Sequence, residues 1–222
     1  AGQFYPFHRF ISELPVSRRR VVVTGLGVIS PVGNTVQEAW ANILAGKSGI
    51  GPITRFDASG FAARIAGEVK GFDVSAYLSP KEARRMDVFI HYGMAAGIQA
   101  IRDSGIEVNE TNADRIGVNI GSGIGGLPMI EDTHNDYLNG GPRKISPFFI
   151  PGTIINMISG NLSIMHGMKG PNLSVVTACT TGLHAIGMSA RMIEYGDADV
   201  MVCGGAESTV THLAIGGFGS AK

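Results

Sequence analysis

The chain has 222 residues, with 18 basic and 18 acidic side chains, so its formal net charge is zero. This balance argues against nucleic acid as a partner, because nucleic-acid-binding domains carry a basic surface. Two cysteines are too few for a disulfide framework, and no uninterrupted run of about twenty apolar residues could span a bilayer. We therefore expect a cytoplasmic protein with no membrane segment. Residues 1–18 lack the pattern of a secretory signal, which leaves a natural extension, a processed targeting segment or an expression remnant.

The first predicted elements are a strand and a helix. Residues 20–34, RVVVTGLGVISPVGN, are expected to form a buried β-branched strand that runs into a Gly/Pro loop. Thr35 and Glu38 have capping-box spacing, so a helix should start there and end at Gly46. Residues 47–78 are predicted to be irregular, because glycines and prolines interrupt their periodicity.

A long helix is predicted next. Ser79, Pro80 and Glu82 have the residue types of the N-cap, N1 and N3 positions, and Gly105 is a suitable end. The middle of this segment, FIHYGMAAGIQA, is small and apolar on all sides, which indicates deep burial.

Strands and helices alternate in the rest of the chain. We predict strands at 116–123, 173–178 and Val200–Cys203, a long excursion at 127–160 that is partly helical near Met129–Leu138, and a helix at Thr181–Tyr195. Alternation of this kind indicates βαβ units and a largely parallel sheet covered on both faces. Chemistry in such sheets gathers at the carboxyl ends of the strands, and three predicted strands end in TGLG, GSGIGG and TACTTG.

Cys179 is the candidate nucleophile because it stands between a predicted strand and a predicted helix. A sharp turn at this position exposes the side chain at the helix amino terminus, as in a nucleophile elbow. The free N–H groups and partial positive charge of a helix start favour a negative sulfur. They can also stabilise the oxyanion of a tetrahedral intermediate. A packing role for Cys179 stays open from position alone, because most free cysteines are small buried hydrophobes.

Other candidate residues fit structural roles better. Cys203 lies inside the apolar run VMVCGG and is expected to pack in the core. His184 is more than one helical turn from Cys179, so a cysteine-protease pair is disfavoured. Residues 121–126, GSGIGG, resemble a phosphate loop but lack its Lys-Ser/Thr ending, and Pro128 is expected to interrupt the helix that follows.

The segment TACTTGLHAIG resembles the active-site segment of the β-ketoacyl-acyl carrier protein synthases, particularly the elongating type II enzymes. Five further segments match that family in the same order: RRVVVTGLGVISPVGN, GSGIGGL, GPRKISPFFIPGTIINM, GDADVMVCGGAE and IGGFG. The resemblance runs from about Arg19 to Lys222. It implies that Cys179 accepts the acyl group.

The resemblance also implies an architecture. The family fold is a thiolase-like, layered α/β arrangement of two similar halves that forms a homodimer. Residues 19–222 correspond to the amino-terminal half, for which a mixed five-stranded sheet is expected. The two catalytic histidines of the family, an associated lysine and a gating phenylalanine belong to the other half. We therefore expect the 222 residues alone to be inactive in condensation, and we expect no cofactor and no metal.

Further site residues follow from the resemblance. It makes Ile124 a wall of the acyl pocket, places Phe149 in the dimer interface near the partner's pocket, and places Phe218 near the pantetheine entrance. Thr209 and Ala214 replace smaller residues that are common in relatives, so the preferred acyl length stays open.

Basic residues suggest a docking surface. Lys81, Arg84 and Arg85 lie in the first turns of a predicted helix, where cations oppose the helix dipole, and Arg143 and Lys144 lie in the turn NGGPRK. Acyl carrier proteins are acidic. The resemblance assigns these five residues and Lys222 to the carrier-docking surface.

The resemblance implies decarboxylative Claisen condensation of an acyl group on Cys179 with malonyl-acyl carrier protein, in fatty-acid biosynthesis. A polyketide ketosynthase or a starter enzyme that uses coenzyme A is an alternative. A second alternative is a non-catalytic dimer partner similar to a chain-length factor. Those partners lack the cysteine, so Cys179 argues against this possibility.

Overall fold

The computed structural model describes residues 19–221. Its helices are α1 (Val36–Leu44), α2 (Pro80–Ala83), α3 (Val88–Ser104), α4 (Leu127–Gly140), α5 (Phe149–Thr153), α6 (Met157–His166), α7 (Thr181–Tyr195) and α8 (His212–Ala221). Its strands are β1 (Ile50–Pro52), β2 (Ile65–Gly67), β3 (Ile116–Gly121), β4 (Asn172–Leu173) and β5 (Val200–Gly205). None of these helices is long and apolar enough to cross a bilayer.

A parallel sheet in the order β4-β3-β5 forms the centre of the fold. Along β3 and β5 the register runs from Ile116 opposite Val200 to Gly121 opposite Gly205. Every residue of β3 is buried, as expected for a strand covered on both faces.

Helices cover the two faces of β3. Val118 and Ile120 point into the main apolar core, together with residues of α3 and α6. Asn119 points to the opposite face, where its amide donates to Ala185 O and Ser189 Oγ of α7. The alternation of side chains along a strand therefore produces three layers, with the sheet between α3 and α6 on one side and α7 on the other.

The contact between α3 and α6 depends on two glycines. A Cβ at Gly93 would lie 2.5 Å from Ile158 Cδ1, and one at Gly97 would lie 2.5 Å from Leu162 Cδ1. The absence of a side chain lets Ile158 and Leu162 reach the backbone of α3. Both are fully buried. This explains why the segment FIHYGMAAGIQA is small and apolar, and it confirms the predicted deep burial.

The strand predicted at 20–34 is wrong. Val22 and Val23 are 64% and 77% exposed, and this segment forms no ladder with any strand in 19–221. Two of its N–H groups bond instead to side chains of α3: Leu26 N donates to Asp103 Oδ2 at 2.9 Å, and Val28 N donates to Gln99 Oε1 at 3.1 Å. Residues 25–28 therefore lie against α3, while Val22 and Val23 stay exposed.

The single mixed five-stranded sheet is also corrected. The described strands form the parallel sheet of three and a separate antiparallel pair, β1-β2, within the segment predicted to be irregular. The strand predicted at 173–178 shrinks to β4 because the chain leaves the ladder at Ser174. There Ile120 O accepts from two hydroxyl groups, Ser174 Oγ at 3.0 Å and Ser159 Oγ at 3.2 Å.

The long helix predicted after Ser79 is two helices. The capping box of Ser79 and Glu82 is present, but α2 has only four residues. Asp87 then has extended backbone and accepts from Phe89 N at 3.1 Å, which caps α3. Burial raises the pKa of the Asp87 carboxyl above its ordinary value.

Pro128 does not interrupt a helix. It lies in the first turn of α4, where a missing N–H costs nothing. The cap of Thr35 on α1 and the ends of α1 and α3 at Gly46 and Gly105 are as predicted.

Candidate active site

The turn that carries Cys179 joins β4 to α7. Residues Ala178–Thr180 form a single 3-10 turn, and α7 begins at the next residue. Ala178 has a φ of +51°, the one left-handed backbone angle outside glycine among residues 19–221. Such a conformation is unfavourable for a residue with a Cβ, and it turns the chain sharply just before the cysteine. Cys179 is exposed, so its predicted position after a sharp turn at a helix start is confirmed, and its role as a nucleophile stays a prediction.

Threonines fix this turn from both sides. Thr181 Oγ1 accepts from Thr177 N at 2.9 Å, and Thr180 Oγ1 donates to Thr177 O at 2.7 Å. Thr181 is buried against the end of β3, where a Cβ at Gly121 would lie 2.6 Å from its Cγ2. The TACTT sequence therefore holds the cysteine against the carboxyl end of the sheet.

A cavity of about 460 Å³ opens beside the cysteine. Cys179, Ile124 and Phe218 all line it, and Thr209 contributes to the same wall. Ile124 and Phe218 are 42% and 64% exposed, so apolar side chains are available at its surface. The structure thus brings three of the predicted site residues together, in a space within the usual range for small-ligand pockets.

Two other residues that the resemblance connected with the acyl pocket, Phe149 and Ala214, do not line this cavity. Phe149 is the first residue of α5, partly buried, and is not among the residues that line this cavity. Ala214 is buried on α8 and contributes to core packing. The predicted interface role of Phe149 stays a prediction.

The glycine loop at 121–126 is held by a carboxylate that sequence reasoning missed. Glu207 Oε2 accepts from Gly123 N at 2.8 Å and Ile124 N at 3.0 Å. Glu207 Oε1 accepts from Ser122 Oγ at 2.8 Å and Gly125 N at 3.3 Å. These N–H groups bind an anionic side chain of the protein itself. In the sequence, Glu207 is marked only by the resemblance of the segment GGAE to the family.

Five of the six predicted docking residues lie on the surface. Lys81, Arg84, Arg85, Arg143 and Lys144 are exposed, and within 19–221 none of them forms an ion pair. The guanidinium of Arg85 stacks 4.2 Å from the ring centroid of Phe148, close in sequence to the turn with Arg143 and Lys144. Lys222 lies outside the described residues.

Cys203 and His184 have the surroundings of residues with structural roles. Burial raises the pKa of the Cys203 thiol above its ordinary value. His184 Nδ1 lies 3.3 Å from Thr177 Oγ1. Across the described part of the chain, no group of three or more His, Cys, Asp or Glu side chains is placed to hold a metal ion.

The chain belongs to the β-ketoacyl synthase family: the family model for the amino-terminal domain of β-ketoacyl synthases matches residues 18–222. It is 64% identical over 207 residues to 3-oxoacyl-(acyl-carrier-protein) synthase 2 of Vibrio cholerae, which covers 93% of the chain and 50% of that protein. The synthase 2 of Coxiella burnetii is 58% identical with the same coverage. The chain spans about half the length of the curated relatives it matches, and the family predicted from the motifs is confirmed.

Solved structures agree. The ishigamide ketosynthase/chain length factor has a TM-score of 0.80 at 31% identity, covering 92% of this chain and 51% of that chain. A β-ketoacyl synthase from Burkholderia phymatum has a TM-score of 0.78 at 27% identity, covering 91% and 50%. The predicted thiolase-like, layered α/β class is thereby confirmed.

Proposed function

We propose that this chain supplies the acyl-accepting half of an elongating β-ketoacyl-acyl carrier protein synthase. The observation that carries the proposal is Cys179, exposed at a helix start on the wall of an apolar cavity. The names of the Vibrio cholerae and Coxiella burnetii relatives support fatty-acid chain elongation as the reaction.

The first step is thioester exchange. The sulfur of Cys179 attacks the carbonyl carbon of an acyl group carried on the pantetheine thiol of acyl carrier protein. A tetrahedral oxyanion forms, and its collapse breaks the bond to the pantetheine sulfur, which leaves as a thiolate and takes a proton. The start of α7 directs the positive end of the helix dipole at this centre and stabilises the developing negative charge.

The second step makes the carbon–carbon bond. Malonyl-acyl carrier protein loses CO₂ and becomes an enolate, whose carbon attacks the acyl carbonyl on Cys179. The cysteine leaves, and the product is a β-ketoacyl group on the carrier protein that is two carbons longer than the starting acyl group. The enolate needs donors of its own, and the resemblance places those donors, two histidines, in the other half of the family fold.

The proposed partners are an acyl carrier protein and a second copy of the protein. A solved type II polyketide ketosynthase in complex with its acyl-carrier protein is similar to this chain, with a TM-score of 0.77 at 28% identity and coverage of 91% and 55%. The exposed cations around α2 and Pro142–Lys144 are the proposed docking surface, since an acidic carrier is attracted to a basic one. Phe149 is proposed to lie at the dimer interface.

The polyketide alternative is less well supported. The polyketide-type solved structures are 28% to 31% identical to this chain, against 64% for the Vibrio cholerae fatty-acid enzyme. The non-catalytic alternative conflicts with Cys179 itself.

The direct test is a condensation assay on a chimaera that joins this chain to the remaining half of the Vibrio cholerae synthase. With acyl- and malonyl-acyl carrier protein, the chimaera should form β-ketoacyl product, and the 222 residues alone should form none. Absence of product from a folded chimaera would refute the proposal. Product from the chain alone would show that the enolate donors were wrongly assigned to the other half.

A further inference from the structure

Glu207 lies at the junction of the sheet and the glycine loop. It follows the end of β5 by two residues, and Ala206 N extends the ladder by donating to Gly121 O at 3.0 Å. The backbone of Glu207 is therefore fixed to the end of the same strand from which the glycine loop departs. From this position the side chain of Glu207 reaches the glycine loop directly.

The loop is held between Glu207 on one side and the cysteine turn on the other. A Cβ at Gly123 would lie 2.8 Å from Glu207 Oε2 and 3.3 Å from the Cα and carbonyl carbon of Ala178. Gly125 has a φ of +82°, so the chain bends back at this point. Ile124 lies between these two glycines, and the bonds to their N–H groups and its own N–H fix its backbone.

We propose that Glu207 is a positioning residue for the acyl cavity: it holds residues 122–125 so that Ile124 forms the wall beside Cys179. This inference rests on the function proposed above. Hydrogen bonds to a charged acceptor are about twice as strong as neutral ones, and four of them converge on one carboxylate. Without the carboxylate, the loop loses its anchor and the wall no longer has a fixed distance from the sulfur.

The proposal is tested by alkylating Cys179 in the chimaera with N-alkyl iodoacetamides, from N-methyl to N-dodecyl. The quantity measured is the ratio of the rate constants for the dodecyl and methyl reagents, with peptide mass spectrometry to assign the label to Cys179. Glu207→Ala should lower this ratio about tenfold, while the methyl reagent reacts within about twofold of its original rate. Glu207→Gln keeps one carbonyl acceptor and should lower the ratio only about threefold.

The matched control is Glu110→Gln, which changes an exposed carboxylate in the turn before β3 and should leave the ratio unchanged. An unchanged ratio in folded Glu207→Ala would overturn the proposal. If that variant does not fold, an unchanged ratio in both Glu207→Gln and Glu207→Asp overturns it, and a lowered ratio in either supports it. A residue that merely stabilises the fold would not change the ratio.

Alkylation needs only the thiol and the cavity, so this test is independent of the thioester chemistry. A chimaera that fails to accept acyl groups from the carrier, yet loses alkyl selectivity in Glu207→Ala, would refute the proposed function and support the positioning role. If the chimaera condenses normally and Glu207→Ala leaves the alkyl selectivity unchanged, the proposed function is supported and the positioning role is refuted.

Discussion

The two ends of the central sheet hold polar groups in different ways. At the amino-terminal end, Arg115 forms a paired contact with Asp199, with Nη2–Oδ1 at 3.0 Å and Nε–Oδ2 at 3.1 Å. Arg19 binds the same carboxylate. At the carboxyl-terminal end, Glu207 binds backbone N–H groups of a glycine loop, and Cys179 stands exposed beside a cavity.

The two ends of the sheet differ in which groups remain free to contact a substrate. The amino-terminal charges neutralise one another across β3 and β5, and Arg115 also donates to the carbonyls of Gly196 and Asp197. At the other end the carboxylate of Glu207 binds a loop but leaves the Cys179 thiol and the apolar side chains of the cavity exposed. The first end therefore has the properties of a structural tie, and the second has the properties of a reaction site, as expected for the carboxyl edge of a parallel sheet.

The largest effect should come from the nucleophile. Cys179→Ala in the chimaera should lower β-ketoacyl formation by about a thousandfold or more, because the acyl thioester is proposed to form on the sulfur of Cys179. Cys203→Ser is the matched control and should retain most of the activity, measured as product by mass spectrometry. Comparable losses in the two variants would mean that the two cysteines are not functionally different.

The cavity wall should show the next largest effect. Ile124→Phe should reduce the rate with the longest accepted acyl chains about tenfold to a hundredfold, because overfilling an apolar pocket costs about 1–3 kcal/mol. The control Ile43→Phe changes an exposed isoleucine on α1. Rates measured across a series of acyl-carrier proteins give the comparison, and an unaltered chain-length profile would show that Ile124 is not part of the acyl wall.

The docking surface should show a moderate effect. Reversing two charges, Arg84→Glu with Arg143→Glu, should weaken carrier-protein binding about tenfold at low salt and flatten its salt dependence. The control pair is Lys47→Glu with Arg102→Glu, two exposed cations elsewhere. Calorimetric titration at two ionic strengths measures both quantities. If the carrier protein binds the Arg84→Glu with Arg143→Glu variant as tightly as the original protein, the docking assignment is wrong.

The smallest effect belongs to the amino-terminal end. Hydrogen bonds and charge from Arg115, and then from Arg19, hold the pKa of the Asp199 carboxyl well below its ordinary value. Because the folded pKa lies below the unfolded one, the pair stabilises the fold above about pH 4 and loses this contribution as the pH falls further. Asp199→Asn should lower the melting temperature at neutral pH, lower it progressively less as the pH falls below about 4, and spare condensation activity.

Thermal unfolding measured at several pH values tests this prediction. Aspartate at an exposed position contributes little when screened by salt, so the difference should also shrink in high salt. A melting-temperature difference that is constant from neutral to acidic pH would show that the Asp199 charge is not responsible.

Local signals predicted the site better than the sheet. The turn at Cys179 was predictable because its determinants, a strand, a sharp turn and a helix start, are adjacent in sequence. The approach of Ile124 and Phe218 to Cys179 followed from the family resemblance. Glu207 was missed because it acts on a loop more than eighty residues away, and no sequence spacing reports such a contact.

Strand predictions failed where the formation of a strand depends on a hydrogen-bonding partner elsewhere in the chain. The run at 20–34 has the composition of a strand, but composition does not specify a ladder partner, and the backbone donors of Leu26 and Val28 found side chains on α3. The strand at 173–178 was cut short where hydroxyl groups bond to Ile120 O. Both errors concern which group pairs with a backbone N–H or C=O, which apolar patterning does not encode.

The most direct test of the central claim is the mass of the chimaera after incubation with acyl-acyl carrier protein alone. In the absence of malonyl-acyl carrier protein, the acyl group should remain on the enzyme. We predict one acyl adduct, located by peptide mapping on the peptide with Cys179 and absent from Cys179→Ala. An adduct on Cys203, or a folded chimaera without any adduct, would contradict the account.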